Sequence, residues 1–308
     1  MNSLYGYEID SDVPLTRGSE VPGELGRITV RAVRDRPLEV PAELVHLVTD
    51  ADRIPHYAAA RLGARIVAWH SDAGTFLIDP ASMTIGHRAA DTALELGPQR
   101  WEDRLASNAV PLLLGELGAL SLHASANLVG DRALVICGVT GRGKSTLSAA
   151  LASAGYPSLG EDGVVLHRSG TGHAAWPGAR GSLLTNPAAA VIGTTSANGP
   201  EDPRGRRLHD GLRSADRPGR AAVIAFLRER GGTAVDIERV DSAKTHRELL
   251  DHLLTAGRRG TREFAGSARV AVSVDGVLLR VPDSLDAVAE AAERLTGLVG
   301  EGRPSRAE

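Results

Sequence analysis

An α/β fold built on a phosphate-binding loop, preceded by a small β-rich domain, is the architecture this sequence predicts. Three observations predict it. Residues Gly138-Val-Thr-Gly-Arg-Gly-Lys-Ser145 have the spacing G-x-x-x-x-G-K-S. An apolar run, Ala133–Cys137, leads into them, and the Ala- and Leu-rich Lys144–Ala154 follows as a helix, which is the strand–loop–helix setting the motif requires. Before about residue 100 the pattern changes to short branched, alternating runs separated by Gly, Pro and Asp, as strands are.

Taken in order, Leu4–Ile9, Arg27–Val33, Arg65–Trp69 and Thr75–Ile78 read as the strands of a domain over 1–100. Trp101–Leu120 reads as a helix, with apolar residues at Leu105, Val110, Leu113, Leu114, Leu117 and Leu120. Pro111 within it predicts a kink or an internal start, because proline cannot donate to the helix ladder. A strand over Leu120–Ala126, a Gly130-Asp131 turn and a strand over Arg132–Cys137 form a hairpin that feeds the loop. Val164–His167, Val223–Leu227 and Val270–Val274 read as further strands. Ser242–Leu254 and Asp283–Leu298 read as amphipathic helices begun by Asp or Ser caps. These elements make a core over 101–298, and the Gly-, Pro- and charge-rich 299–308 reads as a flexible tail. Residues 196–220, polar and rich in Arg, read as a solvated loop or as a mobile lid.

The chain has 308 residues, 42% hydrophobic, 24% charged and 3% aromatic, which is the balance of a soluble globular protein with an aliphatic core. A formal net charge of −3 gives no basis for a nucleic-acid partner. The N-terminus lacks the basic and apolar regions of a secretion signal. Glu116 interrupts the longest apolar stretch, Val110–Leu120, so no membrane span is expected. The expected location is cytoplasmic. Cys137 is the only cysteine, on the strand beneath the loop, and reads as a small core residue. A homo-oligomer stays open.

The chemistry starts at the loop. Glycines let successive backbone N–H groups turn toward one anion, and the helix N-terminus adds its positive dipole end. Gly138, Thr140, Gly141, Arg142, Gly143, Lys144, Ser145 and Thr146 are the candidate nucleotide-binding residues. Lys144 supplies a point charge for phosphate and Ser145 a hydroxyl for Mg²⁺, so ATP and Mg²⁺ are the expected ligands. Lys144 and Lys244 are the chain's only lysines, every other strong base being Arg; a compact ammonium is retained where it must fit among phosphate oxygens. His123 lies on the strand before the hairpin, and Glu161-Asp162 follow Ser158-Leu-Gly160 beyond the loop helix. Singly, such a His usually makes a structural hydrogen bond and a Glu-Asp-Gly run is an ordinary turn. Grouped about one phosphate loop, an acidic pair can orient Mg²⁺ and accept a proton from an attacking hydroxyl.

The series Leu122-His-Ala-Ser125, the phosphate loop, Ala154-Gly-Tyr-Pro157 and Glu161-Asp162 resembles the catalytic domain of HPr kinase/phosphorylase. It is closer to the HPr-kinase-like proteins of peptide and natural-product biosynthesis clusters, which open with a segment like Tyr7-x-Ile9-x-Ser11-Asp-Val-Pro-Leu15. The motif-dense likeness covers about 101–167, and the N-terminal likeness extends it to most of 1–167. It implies the fold of HPr kinase and phosphoenolpyruvate carboxykinase, a mixed sheet with flanking helices. It also implies Lys144 on the β- and γ-phosphates, Ser145 and Asp162 toward Mg²⁺, His123 supporting the acidic pair, and Glu161 as base. The family usually has Asp-Asp where this chain has Glu161-Asp162, so the division of labour between the two stays open. Gly178-Ala-Arg180-Gly-Ser182 only faintly echoes the family's glycine-rich signature, and the N-terminal segment differs from that of the HPr-specific enzymes. HPr is therefore not the expected substrate. The resemblance implies a kinase that phosphorylates a hydroxyl, foremost Ser of a ribosomally made peptide. A small-molecule alcohol kinase and a non-catalytic nucleotide sensor are the alternatives.

Overall fold

The computed structural model describes residues 2–33, 46–49, 55–88, 98–194, 197, 198, 201, 205–257 and 260–301. Among them, β1 (Ser3–Leu4), β2 (Tyr7–Ser11), β3 (Gly26–Ala32), β4 (His46–Thr49), β5 (Pro55–Leu62), β6 (Arg65–His70), β7 (Gly74–Asp79) and β8 (Thr84–Arg88) form one sheet. Its order is β1-β2-β3-β8-β7-β6-β5-β4. Leu4–Ile9, expected as one strand, is broken at Tyr5 and Gly6, whose φ values of 55° and 84° turn the chain back so that β1 pairs with β2. The buried face of this sheet, with Ile28, Phe76 and Ile85, packs on Trp101, Leu105 and Leu113 of the following helix.

That helix runs as α1 (Pro98–Arg104), a π-helical turn over Leu105–Ala109, and α2 (Val110–Glu116). The wide turn comes just before Pro111, which has no N–H to continue the ladder. The helix stops at Glu116, short of the expected Leu120, and leaves Leu120 free to start a strand.

The second sheet contains β9 (Leu120–Leu122), β10 (Ala124–Val129), β11 (Arg132–Cys137), β12 (Ser158–Gly160), β13 (Val164–Ser169) and β14 (Gly172–Ala175). A short sheet, in the order β15-β17-β16, is made by β15 (Ser182–Thr185), β16 (Ala197–Asn198) and β17 (Arg206–His209). The second sheet is completed by β18 (Gly219–Leu227), β19 (Asp236–Val240) and β20 (Asp275–Arg280). β11, β18 and β20 run parallel at its centre, and β10 and β19 are antiparallel additions. This is a mixed α/β fold. The hairpin turn falls at Gly130-Asp131 as expected, with Val129 opposite Arg132. The strand expected over Leu120–Ala126 is instead two, split at His123, so that β9 pairs with β13 while β10 pairs with β11 and β12.

Helices α3 (Lys144–Ser153), α4 (Asn186–Ile192), α5 (Ser242–Asp251), α6 (Thr261–Ser273) and α7 (Leu285–Glu301) complete the described elements. Val270–Val274, expected as a strand, instead closes α6. Ser267, Val270 and Ala271 are buried at helical spacing, and the strand begins only at Asp275. Helix α7 continues to Glu301, into the segment expected as a tail, and 302–308 lie outside the described residues. The 196–220 stretch is not a plain loop: β17 lies within it, and Ser214 bridges Ser158 of β12. No helix among the described residues is long and apolar enough to cross a membrane.

Tyr5 ties the two sheets together. It is 1% exposed, and its hydroxyl lies 2.8 Å from the Ala106 carbonyl and 3.1 Å from that of Gly163, next to the acidic pair. Tyr5→Phe leaves those carbonyls without their donor and should destabilise by about 1–3 kcal/mol. Urea unfolding with an unchanged midpoint would show that the link carries no stability.

Candidate active site around the phosphate loop

β11 ends at Cys137, which is fully buried, its thiol pushed up to about 12 by that burial. This agrees with a core residue rather than a nucleophile. The loop follows, and Gly143 serves as N-cap of α3 with φ 97°. Gly141 has φ 86°. Both values lie in the left-handed region that a glycine adopts freely. Val139, Thr140 and Gly141 are exposed at the loop's crest. Ser145 and Thr146 stand half-buried in the first turn of α3, and no described residue hydrogen-bonds either hydroxyl.

Lys144 is 5% exposed. Its Nζ donates to the Gly138 carbonyl at 2.8 Å and meets His123 Nε2 at 3.1 Å. An ammonium can only donate, so Nε2 accepts and Nδ1 carries the ring proton. Nδ1 faces the Asp162 carbonyl at 3.3 Å. His123 thus joins the loop lysine to the acidic turn, and the break between β9 and β10 is where it sits. Burial lowers the Lys144 pKa, opposed first by the charge of Asp162.

The two carboxyls of the acidic pair are driven apart. Asp162 takes a left-handed conformation, φ 56°, and its carboxylate lies 3.7 Å from Arg206 of β17. Burial would raise its pKa, but the neighbouring basic groups offset that and hold it low. They are His123, in whatever share of its ring is doubly protonated, and the cations Arg206, Lys144 and Arg104 alongside the neutral tautomer that faces Lys144. Glu161 is pushed up to about 8, by burial first and then by its neighbour Asp162. Its Oε2 accepts from the Leu183 N–H at 3.0 Å, while Oε1 is buried with no hydrogen-bond partner. One carboxyl is held ionised and the other is poised to exchange a proton near neutrality.

Sequence reasoning missed Arg17. It is 8% exposed, donates to the carbonyls of Arg180 and Gly181, pairs with Asp103, and is among the charges that act on Glu161. The recognisable opening motif stops two residues earlier, at Leu15, and nothing local marks an arginine that will be buried. Arg206 belongs to the Arg-rich stretch 196–220, read as a solvated loop or a lid. Arg207 instead faces Glu201 at 3.7 Å, and Arg204 lies outside the described residues.

Among the described residues no group of three or more His, Cys, Asp and Glu is arranged to hold a metal. The groups that could hold Mg²⁺ are one hydroxyl, Ser145, and one carboxylate, Asp162, whose pKa is held low. That donor set fits an ion that keeps most of its shell from water and phosphate.

No protein-family model and no curated protein matches the chain. Among solved structures it is similar to the HPr(Ser) kinase/phosphatase from Coxiella burnetii, at 12% identity and a TM-score of 0.28, over 57% of this chain and 97% of that one. The geometry of the site, not that likeness, carries the functional reading.

Proposed function

We propose that this protein is an ATP-dependent phosphotransferase of the HPr-kinase-like kind, which moves the γ-phosphoryl group to a hydroxyl, foremost a peptide Ser. The observation that carries the reading is the acidic pair beside the loop, with Glu161 raised to about 8 and Asp162 held low. Titratable neighbours driven apart in this way mark an acid–base group and an electrostatic partner.

In this reading the loop N–H groups and Lys144 bind the phosphates, and Ser145 and Asp162 hold Mg²⁺. When bound, Mg²⁺ neutralises charge on the phosphates. Glu161 in its ionised form, whose share grows as pH rises toward about 8, takes the acceptor hydroxyl's proton. The acceptor oxygen bonds to the γ-phosphorus as the bond to the β-bridging oxygen breaks, and ADP leaves. Lys144 stabilises the charge that develops on ADP. His123 fixes Lys144 relative to the Asp162 turn.

A peptide acceptor is favoured over a small alcohol by an open cleft of about 830 Å³. It lies between the N-terminal segment at Val13, Arg17 and Val21 and the core at Arg180, Leu208 and Asp210. Arg17 forms part of this cleft and also of the wall around Glu161. Small ligands are ordinarily enclosed more fully.

The test is single-turnover transfer from γ-labelled ATP with Mg²⁺, offered to Ser-containing peptides and to a panel of small alcohols. Label on peptide serine is the expected result. Nucleotide binding without transfer or hydrolysis across both panels would instead make the protein a sensor. Arg206 supplies a further expectation. Arg206→Ala removes a cation from Asp162 and should slow turnover about tenfold or more, whereas Arg207→Ala leaves it unchanged. Equal rates in both variants would return this strand to a purely structural role.

A further inference from the structure

A third cation stands over the phosphate loop. β18 runs parallel to β11, with Phe226 opposite Cys137, so its end emerges beside the loop. The approach is tight enough that a Cβ on Gly138 would lie 2.9 Å from the Leu227 Cβ. The chain then continues Arg228-Glu-Arg230. Arg230 folds back over the loop, and a Cβ on Gly143 would fall 2.9 Å from its Nη2. Lys144, Arg142 and Arg230 therefore gather at the start of α3, where the helix dipole is also positive.

Like charges at one place repel unless anions accompany them. Two carboxylates do so. Arg142 meets Glu229 at 3.0 Å, and Arg230 Nη1 meets Asp283, just before α7, at 2.6 Å. Asp283 is 79% exposed and Glu229 84%. Exposed pairs of this sort are weak. A polyphosphate carries several charges and presents pairs of oxygens suited to a guanidinium fork, so it competes well for such an arginine.

We propose that Arg230 is a phosphate-binding residue of the nucleotide site and that Asp283 is its resident counter-ion, given up when nucleotide binds. The inference rests on the phosphate-loop reading of Gly138–Thr146. It adds to that reading a built-in competitor: Asp283 occupies the guanidinium until a stronger anion takes it, and the exchange links the nucleotide to the start of α7.

The experiment is calorimetric titration of the full chain with Mg-ATP, and with adenosine as a phosphate-free probe. Arg230→Ala should weaken Mg-ATP binding about tenfold, the scale of a lost charge-assisted contact. Asp283→Asn should strengthen it about threefold, because the competing carboxylate is gone. Adenosine binding should not respond to either change. The gain in Asp283→Asn is the diagnostic result, since loss of a merely structural ion pair cannot tighten the ligand. Unchanged affinity in Arg230→Ala, or weaker binding in Asp283→Asn, while the wild type binds Mg-ATP, overturns the inference and leaves the phosphate loop standing. A wild type that binds no Mg-ATP overturns both.

Discussion

Glu161→Gln is expected to cut phosphoryl transfer by about 10²–10⁴-fold, the usual contribution of a general base, while Mg-ATP affinity barely moves. Gln keeps the size of the side chain and can still accept from the Leu183 N–H, a bond of 3.0 Å. It cannot take a proton. The same variant has a second signature in stability. The folded carboxyl titrates at about 8 against an ordinary 4.5, so between those values the folded protein keeps a proton that the unfolded chain has released. Stability then falls as pH rises through that window, and the penalty is complete above about pH 8. Gln does not ionise and escapes it. Thermal melting should therefore show the variant gaining on the wild type from pH 5 to pH 8.5. Full activity in Glu161→Gln would move the base role to Asp162. Parallel melting curves at the two pH values would mean that burial does not penalise the Glu161 charge.

The strand, glycine turn and helix around Gly138–Lys144 were legible because their geometry is local. Gly141 and Gly143 have positive φ, and a helix begins at the next residue; both facts are carried by residue types within eight positions. The hairpin before it was legible for the same reason. Val270–Val274 was misread because a short, branched apolar run suits a strand or a buried helix end equally. Only the contacts of Val270 and Ala271 with the second sheet decide for the helix. At the site, the presence of His123, Glu161 and Asp162 could be read, but not their relations. The bond from Lys144 to His123 joins residues 21 apart, and Asp162 meets Arg206 across a separate small sheet. The opposite pKa shifts of the two adjacent carboxyls arise from burial and from charges that include Arg206 of β17 and Arg104 of α1, and no spacing in the sequence encodes those. Arg17 is the same case from the N-terminal side.

Lys144→Met should weaken Mg-ATP binding about 10- to 100-fold, because a charge-assisted contact to phosphate is worth about 1.5–3 kcal/mol. Met keeps most of the buried stem and removes only the ammonium, so the packing around a residue 5% exposed survives. Two effects on the empty protein oppose each other. The Gly138 carbonyl and His123 Nε2 lose their shared donor, yet burial already disfavours the Lys144 charge, and its removal relieves that cost. The fold should therefore persist with little change in melting temperature. Asp162 loses one of the cations that hold its pKa down, so any residual turnover should need a higher pH than the wild type. A lysine that reaches the β- and γ-phosphates should matter for ATP and ADP and hardly at all for AMP. Calorimetry with the three nucleotides separates the possibilities. Equal loss for all three would mean that the loop had collapsed, and unchanged affinity for ATP would mean that Gly138–Thr146 does not bind phosphate.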